Sequence, residues 1–205
     1  MKSRGFLLLT VLLIVITGCV TEKLPPISIY NLYPDLDVHH PILDTDEHAS
    51  DILKLGRISS TNAFSGTDIM YSDTRYGQNS YAYSRWSDSP TSMLLVIFQE
   101  ALEKSGGYMA VVPYSSQSKS DLLLESTLLD FSQHIDDDGT SHGIVRMRFN
   151  LIDNKTKRVI ASRDFAASVP ATSKNVIGAV AALNKAVAGL TKELIEWLRQ
   201  DYAIH

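Results

Sequence analysis

One run sets the architecture of this 205-residue chain: Gly143-Ile144-Val145-Arg146-Met147-Arg148-Phe149-Asn150-Leu151-Ile152-Asp153. Every second position from Val145 to Leu151 is apolar, and the polar residues Arg146, Arg148 and Asn150 lie between them. A period of two is the pattern of a β-strand with one buried and one solvated face. We therefore predict a long strand here, in a sheet that is covered on one side.

Turn-forming residues flank this strand on both sides. Asp153-Asn154-Lys155-Thr156-Lys157 leads directly into a second strand pattern, Arg158–Ser168. On the other side, Asp136-Asp137-Asp138-Gly139 separates it from the strand pattern Leu122–Gln133. Short turns of this kind join antiparallel neighbours. The sequence thus predicts two consecutive antiparallel hairpins.

Two helices are predicted. Ser89-Pro90 supplies an N-cap and a proline in the first turn, and Ser105-Gly106-Gly107 ends that helix because glycine accepts the left-handed conformation. A longer helix runs from about Ser173 to Asp201, with apolar residues spaced alternately by four and three: Val176, Val180, Leu183, Val187, Leu190, Leu194 and Trp197. This spacing fits a coiled-coil seam, but a helix lying on the sheet is the preferred interpretation.

The remaining strand patterns are short. They are Ile52–Ile58, Asp68–Tyr71, Ser80–Tyr83 and Tyr108–Val112, and the apolar piece Ile27–Tyr33 could add a strand at a sheet edge. We expect burial for Trp86, next to the first helix. Together these elements predict one α/β (α+β) domain over residues 51–205: a mostly antiparallel or mixed sheet of four to six strands, with two helices packed on one face.

The N-terminus has the pattern of an export signal. Lys2 and Arg4 precede an apolar run of about a dozen residues, which is too short to cross a hydrocarbon core of roughly 30 Å. A basic start, a short apolar stretch and small residues are typical of a cleaved signal peptide, here residues 1–18. Ile16-Thr17-Gly18-Cys19 resembles a bacterial lipobox, and Cys19 is the single cysteine. We therefore predict lipid attachment at Cys19.

Residues 19–50 are predicted to be an extended tether, because prolines recur at positions 25, 26, 34 and 41. Fully extended, that tether would reach on the order of 100 Å at about 3.3 Å per residue. Val20 follows the cysteine, where Asp would favour retention in the inner membrane. The expected location is therefore the outer membrane, facing the periplasm.

Composition argues against several function classes. Removing Lys2 and Arg4 with the signal leaves 17 basic against 23 acidic side chains, so nucleic-acid binding is not expected. The sequence contains no H-E-x-x-H motif, no phosphate-cradling glycine loop and no free cysteine nucleophile, so we expect no enzymatic activity, no cofactor and no metal. The group His39, His40, Asp44, Asp46 and His48 is better interpreted as solvated tether. His134 and His142 flank a hairpin turn and could face one another, an arrangement that we interpret as incidental.

Several strings in order resemble a known family. They include Tyr30-Asn31-Leu32 and Tyr81-Ala82-Tyr83-Ser84-Arg85-Trp86-Ser87-Asp88-Ser89-Pro90-Thr91-Ser92-Met93-Leu94. The second is similar to a "Y-x-x-x-x-W-x-x-x-P-x-x-M-L" run of the ABC-type transport auxiliary lipoproteins, which leads into the first helix. The similarity continues through Leu129-Asp130-Phe131 and Phe165–Ala171 to the alanine-rich last helix.

This resemblance implies a non-enzymatic component of a lipid-transport system that spans the envelope. Such systems pair an inner-membrane ABC or paraquat-inducible-type permease with a protein carrying MCE (mammalian cell entry) domains. The implied partners are that MCE protein, the permease or ABC transporter, and the membrane through the lipid anchor. A homo-oligomer is compatible with the spacing in the last helix. The alternative hypothesis is a structural or assembly lipoprotein that docks another envelope complex.

Overall fold

The computed structural model describes residues 24–36, 50–73 and 75–202, in which nine strands and two α-helices follow one another. The strands are β1 (Ser28–Tyr30), β2 (Ile52–Leu55), β3 (Ser59–Ser60), β4 (Asp68–Ser72), β5 (Asn79–Trp86), β6 (Ala110–Val112), β7 (Leu122–Ile135), β8 (Ser141–Asp153) and β9 (Arg158–Pro170). The helices are α1 (Pro90–Lys104) and α2 (Val176–Tyr202), and a 3-10 turn covers Asn62–Phe64.

Both predicted hairpins are present, with β8 antiparallel to β7 on one side and to β9 on the other. Val145, Met147, Phe149 and Leu151 are completely buried, whereas the arginines between them are exposed. At the second turn, the Asp153 carboxylate accepts the backbone N–H groups of Lys155 and Thr156, both at 2.8 Å. The apolar and polar residues of β8 therefore lie on the buried and solvated faces that their alternation predicted.

The sheet has nine strands rather than the predicted four to six, because one edge of β7 carries three short parallel partners. β2 pairs with β7 at Leu122–Leu124, β3 at Thr127–Leu128 and β4 at Ser132–His134. β6 continues the sheet beyond β2, while β5 and then β1 continue it beyond β4. The sheet is therefore mixed, as predicted, and fans out from β7 in two branches.

Both helices pack on the same face of the sheet, as predicted. A chain of aromatic rings joins them through the strands: Phe98 of α1 contacts Phe149 of β8, which contacts Phe165 of β9, which in turn contacts Trp197 of α2. The ring centroids are 5.6, 5.6 and 5.7 Å apart. Because the α2 positions from Leu183 to Trp197 in the predicted seam are buried in this core, the sheet-packing interpretation is confirmed and the seam is occupied within the chain.

The helix ends follow their predicted chemistry. Ser89 is the N-cap of α1, with its hydroxyl accepting the N–H of Ser92 at 3.3 Å. Gly106, just beyond that helix, has a φ of 71°, in the region that glycine tolerates best. The longer helix starts later than predicted, since the Asn175 side chain caps it by accepting the N–H groups of Ile177 and Gly178.

The apolar piece Ile27–Tyr33 lies at the sheet edge, as predicted. Its residues Ser28–Tyr30 form β1, parallel to β5, and Leu32 is buried in the core. Ser28 follows Cys19 by nine positions, which span at most about 30 Å at about 3.3 Å per residue. Part of the stretch predicted as tether is thus held in the fold, and the distance available between Cys19 and the sheet is short.

Candidate functional site

Four of the five residues that define the family run from Tyr81 to Leu94 are buried. Trp86 is 1% exposed and packs on Phe131 with ring centroids 5.6 Å apart, and Met93 and Leu94 of α1 are buried. Pro90 opens the helix, where its missing N–H has no partner to lose. This part of the string therefore attaches the first helix to the sheet, and the burial expected for Trp86 is confirmed.

Tyr81 begins the same string and also has a structural role. Its hydroxyl donates a hydrogen bond to the side-chain oxygen of Gln133, which is completely buried. The Gln133 amide in turn donates to the Ser173 carbonyl at 2.8 Å, at the approach to α2. Burial, and then the nearby Tyr71, raises the pKa of Tyr81 to about 12. The phenol is thus a permanent donor that links two strands to the last helix.

Arg85 holds a bulge in β5. Asp68 of β4 pairs with Arg85, and Met70 pairs with Ser80, so the residues between Ser80 and Arg85 loop out. The Arg85 guanidinium donates to three carbonyls of this loop, those of residues 81, 82 and 84, at 2.9, 3.3 and 2.8 Å. The same guanidinium forms an ion pair with the Asp68 carboxylate at 3.2 Å. Tyr83 is left 43% exposed within the bulge, as an aromatic side chain available to a partner.

A groove of about 520 Å³ lies between α1 and the segment after β1. We call it the anchor-side groove; its buried residues include Leu32, Met93 and Ile97, and its exposed ones Tyr33 and Val96. Glu100 and Lys104, paired at 2.5 Å, also line it. Such a lining suits an apolar chain with a polar end. This groove was not predicted from the sequence, in which the apolar piece Ile27–Tyr33 is its local signal.

The hairpin tip between β7 and β8 brings the two histidines together as register partners. Each, however, pairs with its own carboxylate: His134 Nε2 lies 3.0 Å from Asp130, and His142 Nδ1 lies 3.3 Å from Asp136. The hydrogen bond that the imidazole donates to Asp130 raises the pKa of His134, against the effect of burial. Asp136-Asp137-Asp138-Gly139 forms a plain exposed turn, closed by the Gly139 N–H on the Asp136 carbonyl at 2.9 Å.

Cys19 lies outside the described residues, as does the group from His39 to His48, so their predicted roles stay predictions. Within the described ranges, no group of three or more His, Cys, Asp or Glu side chains is arranged to hold a metal ion. In the same part of the chain, neither helix combines the length and apolarity needed to cross a membrane.

Solved structures show the same fold. Protein XCC0632 from Xanthomonas campestris superposes with a TM-score of 0.77 at 21% identity, covering 86% of this chain and 97% of its own. An uncharacterized protein gives a TM-score of 0.63 at 15% identity over 85% of this chain and 99% of its own. The hypothetical protein CT253 from Chlamydia trachomatis gives 0.50 at 8% identity over 76% and 99%. At these identities the likeness concerns the fold alone.

The sequence itself gives the family. No curated protein matches the chain. The family model described as "ABC-type transport auxiliary lipoprotein component" matches residues 39–195, well over half of the chain. That range includes the string from Tyr81 to Leu94, both hairpins and most of the last helix. The chain therefore belongs to the family of ABC-type transport auxiliary lipoprotein components.

Proposed function

We propose that this protein is a non-enzymatic auxiliary component of an MCE-type lipid-transport system, anchored through Cys19 in the outer membrane and facing the periplasm. The observation that carries the proposal is the family match over residues 39–195. The cargo class, a phospholipid or another hydrophobic compound, follows from the transport systems that the family resemblance implies. The partners are an MCE-domain protein and its inner-membrane permease or ABC transporter.

The way in which reactive side chains are used supports a role in docking rather than in catalysis. Tyr81 is held as a donor to Gln133, Arg85 is used on the backbone of its own strand, and His134 is bound to Asp130. Each is engaged in holding the fold. The Tyr83 bulge and the anchor-side groove face outward, and both are surfaces suited to contact.

Cell fractionation and lipid labelling test the anchor. In cells given labelled palmitate, the wild-type protein should carry label and Cys19→Ala should remain an unlabelled precursor. Val20→Asp should move the labelled protein to the inner-membrane fraction, while the matched control Val20→Ser should stay in the outer membrane. Normal labelling of Cys19→Ala would contradict the attachment site, and equal distribution of the two Val20 variants would contradict the sorting.

Co-purification tests the transport role. The acylated full-length protein, extracted from its native membranes in mild detergent, should retain an MCE-domain protein or the associated permease, as identified by mass spectrometry. The alternative, a structural or assembly lipoprotein, predicts peptidoglycan-linked or secretion-complex proteins instead. Recovery of only that second group would contradict the transport proposal.

A further inference from the structure

The segment Leu24–Pro34 contains no charged residue. It reads Leu24-Pro25-Pro26-Ile27-Ser28-Ile29-Tyr30-Asn31-Leu32-Tyr33-Pro34, and it contains β1 at the sheet edge. An uncharged segment can approach an apolar phase without the large cost of removing a charge from water. The absence of charge in this stretch therefore permits such an approach.

Both sides of this segment are apolar, although only one side packs on the protein. Tyr30 and Leu32 point inward, with Leu32 5% exposed. Ile27, Ile29 and Tyr33 alternate with them and are 57%, 63% and 81% exposed. An edge strand with one solvated face ordinarily carries polar residues on that face. The three large apolar side chains on the outward side instead indicate that an apolar partner covers this side.

The short connection between Cys19 and this segment points to the bilayer as the apolar partner. Ile27 follows Cys19 by eight positions, which limits its distance from an acylated Cys19 to about 26 Å at about 3.3 Å per residue. Tyr33 matches an interfacial position chemically, because its ring is apolar and its hydroxyl accepts a hydrogen bond from Asn31 at 2.9 Å. Asn31 is held in turn by the Ser87 hydroxyl at 3.0 Å. The connection to the anchor thus limits how far Ile27 and its neighbours can lie from the bilayer that holds Cys19.

We propose that the outward side of residues 24–34 is a membrane-contact surface, through which Ile27, Ile29 and Tyr33 rest in the interface of the bilayer that holds Cys19. This rests on the lipid anchor of the proposed function. The contact fixes how the domain stands on the membrane, with the edge strand β1 next to the lipid. Tyr33 also lines the anchor-side groove, so the same contact brings that groove close to the bilayer.

A tryptophan placed in the segment tests this contact. The acylated full-length Ile29→Trp protein is purified from cells and reconstituted into vesicles of phosphatidylethanolamine and phosphatidylglycerol, with and without brominated acyl chains. Val159→Trp is the matched control, because Val159 is an exposed apolar residue of the opposite edge strand β9, at 59% against 63% for Ile29. Both native tryptophans are 1% exposed and give a constant background in the unsubstituted protein.

The expected result is a blue shift and a loss of emission in brominated vesicles for Ile29→Trp, with neither for Val159→Trp. Native-like circular dichroism and co-flotation of both proteins with the vesicles establish that each is folded and anchored. Equal, unquenched emission of the two floating proteins overturns the membrane contact and leaves the anchor intact. A folded protein that does not float overturns the anchor, and the contact with it.

Discussion

Two regions of this sheet are built in opposite ways. β7, β8 and β9 are 14, 13 and 13 residues long, antiparallel, and joined by tight turns. β1, β4 and β5 form the other region with 3, 5 and 8 residues, mixed directions and a bulge. β7 and β8 bury their alternate side chains under the helices and β9 buries Phe165, whereas the second region leaves apolar side chains such as Ile29 and Tyr83 outside. Stability and surface recognition are therefore divided between them.

The largest difference between the regions should appear on removing a core ring. Phe149 is completely buried between Phe98 and Phe165. Phe149→Ala should therefore lower the free energy of unfolding by about 3–5 kcal/mol. Tyr83→Ala, in the bulge of the second region, should change it by less than about 0.5 kcal/mol. Urea unfolding of both variants measures the two free energies. Equal losses of unfolding free energy would contradict the division of roles between the two regions.

The contact between β8 and α2 is close enough to exclude a methyl group. A Cβ at Gly143 would lie 2.7 Å from the Ala182 Cβ and 2.8 Å from the Leu183 backbone nitrogen. Gly143→Ala should thus destabilise the fold by about 1–3 kcal/mol, as overpacking does. Gly189→Ala in helix α2 is the control, since nothing lies within 4 Å of its added Cβ. Alanine favours helix by up to about 1 kcal/mol there, so thermal unfolding should move in opposite directions for the two variants.

The bulge of the second region should depend on one side chain. Arg85→Ala removes a cation that donates to three carbonyls, and a charged hydrogen bond is worth about 1.5–3 kcal/mol at most sites. Partial exposure of Arg85 places the expected loss at the lower end of that range. Asp68→Asn removes only the ion pair and should cost less than about 1 kcal/mol. If the two variants lose equal stability, the guanidinium does not hold the bulge.

The smallest effect concerns His134 at the hairpin tip. Its pKa is raised chiefly by the hydrogen bond to Asp130, so the charged form is stabilised in the folded protein. This contribution is fully present below the unfolded pKa of about 6.5 and is lost as pH rises through the folded value. The stability advantage of the wild-type protein over His134→Gln should therefore shrink as the pH rises above about 6.5. An NMR titration of the imidazole at or below the ordinary value would contradict the pairing.

The first region could be predicted from sequence because its information is local. Alternation from Val145 to Leu151 gives the buried face, and the turns at Asp136–Gly139 and Asp153–Lys157 give the antiparallel neighbours. The number of strands beyond β7 could not be predicted in the same way. β2, β3 and β4 pair in parallel with β7 across 60 or more residues, and no turn between them encodes that choice.

The candidate surfaces were harder still to predict. Arg85 and Trp86 stand side by side in the family string, yet Trp86 enters the core and Arg85 curls back onto its own strand. Only the register shift between β4 and β5 reveals the bulge that exposes Tyr83. The sequence alone shows that Ile27 to Tyr33 is apolar. Which of its side chains face inward and which face outward depends on how β1 pairs with β5.

Site-specific photocrosslinking in living cells tests the transport role most directly. A photoreactive residue is placed, one strain at a time, at the exposed positions Tyr83, Met109, Val159 and Ile177, which sample both edges of the sheet and the start of the last helix. We predict an ultraviolet-dependent adduct with an MCE-domain protein or its permease from at least one position. Adducts confined at all four positions to peptidoglycan-linked or secretion-complex proteins would contradict the proposed function.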